Sequence, residues 1–243
     1  MARPTVVLLH GVGLDSTMWS PVAALLEEGF EVVAPDLPGH GRGAPVPEGT
    51  TLGDLAAAVA GSVEPGSHLV GFSLGALVAQ HLARHRPELV ATLTSVSSVC
   101  RRTHDERAAV LGRLATAAAD FPASVRASLD RWFAGTGTDP EVVRRTEATL
   151  LANDVPSYLN CYRVFATADA EIAPELPRIT VPSLAVTGEL DPGSTPEMTR
   201  RLADAIPDCR AVVVPGARHM LPVQRPQDLV TCLTTFLGER AHV

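Results

Sequence analysis

Six short apolar runs, rich in β-branched residues and Leu, punctuate the chain at 5–9, 31–34, 67–70, 90–95, 183–187 and 211–214, with helical stretches between them. That alternation marks βαβ units, because parallel neighbours need a crossover long enough to hold a helix. Most of the runs are continuously apolar rather than alternating, as expected of strands covered by helices on both faces. Residues 52–63, 74–86, 196–205 and 226–239 carry apolar side chains at helical spacing. Pro226 suits a first helical turn, where its missing N–H costs nothing. The pattern predicts an α/β fold with a doubly wound, mostly parallel sheet of about six strands.

Between residues 101 and 178 the alternation stops. That segment holds amphipathic helical stretches and no convincing strand, which predicts a helical cap over 101–178 inserted into a core domain made of 1–100 and 179–243. Asp139-Pro140-Glu141 reads as a helix start, with Asp as N-cap and Pro at the first helical position. Pro174, Pro177 and Pro182 mark the return to the sheet.

Composition narrows the chemistry. The 243 residues are enough for one large core, and 46% apolar residues with 4% aromatics describe an ordinary globule. A net charge of −7 argues against nucleic acid as a partner, since phosphate backbones demand clustered positive charge. All 20 basic residues are Arg, so no lysine is present to form a Schiff base or complete a G-K-[ST] phosphate loop. Cys100, Cys161, Cys209 and Cys232 show neither C-x-x-C nor zinc-ligand spacing and are expected to be reduced thiols. No metal is expected. His81 and His85 stand four apart, but the stretch lacks the glutamate of H-E-x-x-H and reads as a solvated helix face. The run after Met1-Ala2-Arg3-Pro4 is too short for a signal peptide, and no later run approaches a membrane span; a cytoplasmic location is the expectation.

Gly71-Phe72-Ser73-Leu74-Gly75 matches G-x-S-x-G and stands between a strand and a helix. There the turn is so sharp that the serine is pushed into the open, with the helix N-terminus facing the charge that develops beside it. A serine N-cap between packing glycines would give the same pentapeptide, and the strand before it favours the nucleophile. His10-Gly11-Val12-Gly13 follows the first strand, where a second oxyanion donor is expected, so the backbone N–H groups of Val12 and Leu74 are the candidates. A dinucleotide fingerprint would need Gly at position 16, which is Ser. Asp36, opening Asp36-Leu37-Pro38-Gly39-His40-Gly41, reads as a loop-capping residue.

A serine hydroxyl needs a base, and the base needs a carboxylate to hold its tautomer. Eight histidines compete. His10 and His40 precede the serine in the wrong order, His81 and His85 sit on the following helix, and His242 is in the tail. His219 follows the last apolar run inside Pro215-Gly216-Ala217-Arg218-His219, at the carboxyl edge where open α/β sheets place their chemistry. Asp191, in Gly188-Glu189-Leu190-Asp191-Pro192, completes the order Ser, Asp, His, with Glu189 as the rival carboxylate.

With these residues the chain resembles the α/β-hydrolase superfamily from His10-Gly11 to His219. Within it, Gly13-Leu14-Asp15-Ser16-Thr17-Met18-Trp19, Arg131-Trp132-Phe133 and Tyr158-Leu159-Asn160-Cys161-Tyr162 resemble the 3-oxoadipate enol-lactonase group and related carboxylesterases. Two features depart from that group: Leu74-Gly75-Ala76 replaces its usual Met-Gly-Gly, and no N-terminal β-hairpin is evident. The resemblance implies attack by Ser73 on an ester or lactone carbonyl of a small molecule, proton transfer through His219, and no cofactor. It further implies a pocket in the cap, with Trp132, Phe133, Tyr158, Tyr162 and Arg163 as candidate lining residues and Arg163 suited to a substrate carboxylate. Two other functions share these features: carbon–carbon bond hydrolysis of the meta-cleavage-product type, and a ligand receptor on the same fold.

Overall fold

In the computed structural model, which describes residues 3–240, the described residues form one six-stranded sheet. Met1, Ala2 and His242 lie outside the described residues. The strands are β1 (Thr5–Leu9), β2 (Glu31–Val33), β3 (Ser67–Phe72), β4 (Val90–Val96), β5 (Ser183–Gly188) and β6 (Cys209–Val214). Their order is β2-β1-β3-β4-β5-β6, and every neighbouring pair is parallel. The β1, β3, β4 and β5 runs are almost wholly buried, whereas the edge strands β2 and β6 are partly exposed. That is why the central four read as continuous apolar runs. The chain winds from β1 toward one edge and from β3 toward the other, so the crevice for chemistry opens at the carboxyl ends of β1 and β3.

The helices are α1 (Ser20–Leu26), α2 (Leu52–Val59), α3 (Leu74–His85), α4 (His104–Ala119), α5 (Phe121–Phe133), α6 (Pro140–Leu151), α7 (Val155–Ile172), α8 (Pro196–Ala205), α9 (Leu221–Gln224) and α10 (Pro226–Arg240). Within the core, α3 lies on β3 and β4, α8 on β5 and β6, and α1 packs against α10. Helix α1, with only Val22 and Leu26 buried, is too short to show a helical period in the sequence. Its start is set instead by Pro21 in the first turn.

Helices α4 to α7 lie between β4 and β5, and the described residues of that excursion contain no strand. Side-chain caps start each of them. Thr103 and Glu106 form a capping box at α4, Asp139 accepts the Glu141 N–H at 2.8 Å at α6, and Asp154 accepts the Ser157 N–H at 3.0 Å at α7. A buried charge cluster ties the beginning of the excursion to its end: Asp169 on α7 accepts from Arg102 N at 2.9 Å, from the Arg102 guanidinium at 2.7 Å and from Arg107 at 3.1 Å. The Arg102 guanidinium also lies 4.7 Å above the Phe165 ring.

All four cysteines are free. Among the described residues no helix is long and apolar enough to cross a membrane, and no group of three or more His, Cys, Asp or Glu side chains is arranged to hold a metal ion.

Candidate active site

Ser73 occupies the single step between β3 and α3, with φ 53° and ψ −111°. A side chain in that region is strained by roughly 1–3 kcal/mol, and such strain persists only where the surroundings enforce it. They do so here: the Ser73 N–H donates to Val96 O at 2.9 Å, while α3 begins at the next residue. The flanking glycines permit the crowding, since a Cβ at Gly71 would lie 2.2 Å from Gly75 O and one at Gly75 2.3 Å from Leu9 O. Leu74, as the first helical residue, leaves its N–H without an intrahelical acceptor. Neither it nor the Val12 N–H has a backbone acceptor among the described residues. The turn carrying Val12 lies against the serine, for a Cβ built at Gly11 would stand 3.2 Å from Ser73 Cβ.

A buried histidine holds that turn in place. His10 Nε2 accepts the Leu37 N–H at 2.8 Å, so Nδ1 carries the proton and donates to Gly11 O at 2.9 Å. Burial pushes the His10 pKa down from 6.5 to about 4, against upward pulls from Gly11 O and Asp36. His40, edge-on to it at 5.2 Å, is pushed down to about 3 by burial and by repulsion from His10. The unfolded chain therefore binds more protons than the folded one between about pH 4 and 6.5, so stability is full above that window and falls as pH drops through it. His10 alone is expected to remove about 2 kcal/mol between pH 7.5 and pH 5. Urea midpoints at the two pH values check this, and equal midpoints would refute it.

Asp191 and His219 come from the loops after β5 and β6. Asp191 Oδ2 accepts from His219 Nδ1 at 2.7 Å, and Oδ1 accepts the N–H groups of Gly193 and Ser194, each at 2.9 Å. Thr187 Oγ1 donates to Ser194 O at 2.7 Å and closes the loop. Glu189 is turned away: exposed, it accepts the Gly216 N–H at 2.9 Å. Asp36 likewise has a loop role, accepting from Ser16 N at 2.8 Å and Arg42 N at 2.9 Å. The His219 ring sits between Phe72, at 5.0 Å, and Trp132 from α5, stacked at 5.6 Å with 27° between planes. Two further bonds join α5 to the histidine loop and to α9 beyond it, with Arg218 donating to Arg131 O at 3.2 Å and Gln224 to Trp132 O at 2.7 Å.

Ser73, Asp191, His219 and Val12 line one pocket, closed from the other side by Arg113, Ser128, Arg131, Trp132, Tyr158, Tyr162 and Phe165. Ser73 Oγ has no hydrogen-bond partner among the described residues, and Nδ1 of His219 is taken by Asp191, which leaves Nε2 as the free ring nitrogen of a pocket-lining histidine. The expected lining residues divide. Trp132, Tyr158 and Tyr162 face the pocket, and burial pushes the Tyr158 phenol pKa upward, keeping it a neutral donor. Phe133 and Arg163 do not line it. Each follows a lining residue by one position and so turns about 100° away around its helix. Phe133 joins the hydrophobic core, and Arg163 is exposed, donating to Asn160 Oδ1 at 3.3 Å. Arg113 and Arg131 stand in the pocket where Arg163 was expected. The signal for Arg131 was a polar stripe, Ser124, Ser128 and Arg131, at helical spacing along α5, and Arg113 on α4 had none.

The chain matches the model of the alpha/beta hydrolase family over residues 6–231. It is 30% identical over 236 residues to the (E)-2-((N-methylformamido)methylene)succinate hydrolase of Acinetobacter baylyi, covering 96% of this chain and 89% of that one. It is also 30% identical over 244 residues to the pimeloyl-(acyl-carrier protein) methyl ester esterase of Aeromonas salmonicida, covering 97% and 96%. Among solved structures, the enol-lactonase of Burkholderia xenovorans superposes with a TM-score of 0.88 at 28% identity, covering 98% of this chain and 92% of that one. This chain belongs to the alpha/beta hydrolase family.

Proposed function

We propose that the protein is a serine hydrolase that cleaves a carboxylic ester or lactone of a small organic substrate through an acyl-enzyme on Ser73. In this reading residues 101–178 act as a cap that shapes the pocket over the core. Ser73 Oγ attacks the carbonyl carbon as His219 Nε2 takes its proton, and the N–H groups of Val12 and Leu74 hold the resulting oxyanion. Collapse expels the alkoxide, which receives that proton from His219. Water then attacks the acyl carbon with His219 again as base, and the acid is released as Ser73 regains its hydrogen. Asp191 keeps the proton of neutral His219 on Nδ1 and stabilises the imidazolium formed at each attack.

The observation that carries this reading is the 2.7 Å bond between Asp191 and His219, made in the same pocket as a serine held at φ 53°. The esterase and lactonase relatives support the choice of bond. Treatment with a fluorophosphonate, read by intact-mass spectrometry and peptide mapping, is expected to give one adduct, on Ser73. Ser73→Ala should take up none and should lose turnover of p-nitrophenyl acetate. Labelling at another residue, or none on folded protein, would overturn the proposal.

A further inference from the structure

Four half-buried or buried arginines have carboxylate partners: Arg84 with Glu175, Arg102 and Arg107 with Asp169, and Arg201 with Glu106. The two arginines in the candidate pocket have none among the described residues, and neither has Arg218, which is half-buried outside the pocket lining and donates to Arg131 O. Arg131 donates only to Ala127 O on its own helix, at 3.2 Å, and to Ser128 Oγ at 2.9 Å. Arg113 has no hydrogen-bond or ion-pair partner among the described residues. Both guanidiniums line the space that Ser73 and His219 face, and one repels the other. Burial, and then Arg113, push the Arg131 pKa down. Asp191, the carboxylate whose field reaches Arg131, already holds His219.

Two like charges, partly withdrawn from water and without a counter-charge, are costly to a folded chain unless something else supplies the missing charge. Guanidinium forks match the paired oxygens of a carboxylate or phosphate. The wall beside them, formed by Tyr158, Tyr162 and Phe165, offers apolar surface for a compact carbon skeleton. We propose that the substrate carries, besides its scissile ester or lactone, a free anionic group of the carboxylate or phosphate type, held by Arg113 and Arg131. This rests on the hydrolase reading above and names the class of substrate within it. The anion would anchor the substrate at the helical wall while its carbonyl lies toward Ser73, and neutral esters would lack that anchor.

The test compares monomethyl glutarate with methyl pentanoate, an uncharged ester of matching acyl length, and with methyl 4-phosphonobutanoate. At low salt the kcat/KM of the better anionic ester is expected to exceed that of methyl pentanoate by about tenfold or more, an advantage that shrinks as salt is added. In Arg131→Gln and in Arg113→Gln that ratio should fall by roughly fivefold or more. A carboxylate preference over the phosphonate assigns the first kind of anion, and the reverse assigns the second. A ratio near one in the unaltered protein, or one unchanged in both variants, overturns the inference while leaving the hydrolase reading in place. If no ester is turned over, the hydrolase reading fails, and calorimetric titration of glutarate and of inorganic phosphate into Ser73→Ala decides the anion site separately. Binding that weakens in Ser73→Ala/Arg131→Gln supports the site, and the absence of binding by both ions overturns it.

Discussion

Asp191→Asn is expected to lower kcat by about ten-thousandfold while the protein stays folded. The structure dictates how the amide would sit. Oδ1 of Asp191 receives two N–H groups, from Gly193 and Ser194, so the single oxygen of Asn is drawn to that side and its NH2 group faces His219. Nδ1 of His219 must then accept, which moves the ring proton to Nε2, where it can no longer take a proton from Ser73. The loop keeps its two bonds, so circular dichroism and the urea midpoint should change little. The residual rate should stay about a thousandfold above the uncatalysed one, because the oxyanion donors and the pocket are untouched. Glu189→Gln, whose carboxylate faces Gly216 N, is the control for a nearby charge, and its turnover should stay near normal. Collapse in Glu189→Gln with activity retained in Asp191→Asn would move the role to Glu189.

The second large effect is on stability. Asp169→Ala is expected to destabilise the protein by roughly 3–5 kcal/mol, because it strands the guanidinium of Arg102 without its carboxylate in a place water does not reach. Both side chains of that pair are almost completely inaccessible, at 1% and 0% exposure. What remains to Arg102 is Phe165 O at 3.0 Å, Ala166 O at 3.4 Å and the face of the Phe165 ring. Those are neutral partners and do not replace a counter-charge. Removing both charges at once is different: Arg102→Met/Asp169→Leu should recover much of the loss, since the burial of two ions is no longer required. Urea denaturation of the single and double variants separates the outcomes. A double variant as unstable as Asp169→Ala would place the cost in the backbone bond from Arg102 N, which Asp169 also accepts. Because the cluster joins the start of α4 to α7, the loss in Asp169→Ala should appear first as opening of the α4–α7 excursion, measurable by hydrogen exchange.

The sheet and the serine turn were legible in the residue order because their causes are local. Strands buried on both faces must be continuously apolar, and the β3–α3 step needs glycine at 71, where a Cβ would stand 2.2 Å from Gly75 O of the same turn. Sequence order and the runs before them also singled out Asp191 and His219, since the chemistry of a parallel sheet gathers at strand carboxyl ends. The edges were read less completely. Strand β6 begins at Cys209, two residues before the apolar run, because the exposed Arg210 is aligned by its ladder with β5 rather than by burial.

Residue order alone thus carried the α/β architecture, the helical character of the 101–178 segment and the candidacy of Ser73, Asp191 and His219, with Glu189 still a rival to Asp191. Which side chains face those three depends on how the helices pack. One residue along a helix turns a side chain by about 100°, so Tyr162 lines the pocket and Arg163 does not, though they are neighbours in the chain. Tertiary packing likewise turned Asp191 toward His219 and Glu189 toward Gly216 N, since the direction of a loop carboxylate depends on which backbone N–H groups the folded neighbours present to it. The pairing of Arg113 with Arg131 belongs to the same class. Their meeting depends on how α4 and α5 pack, a relation between elements that no local pattern encodes.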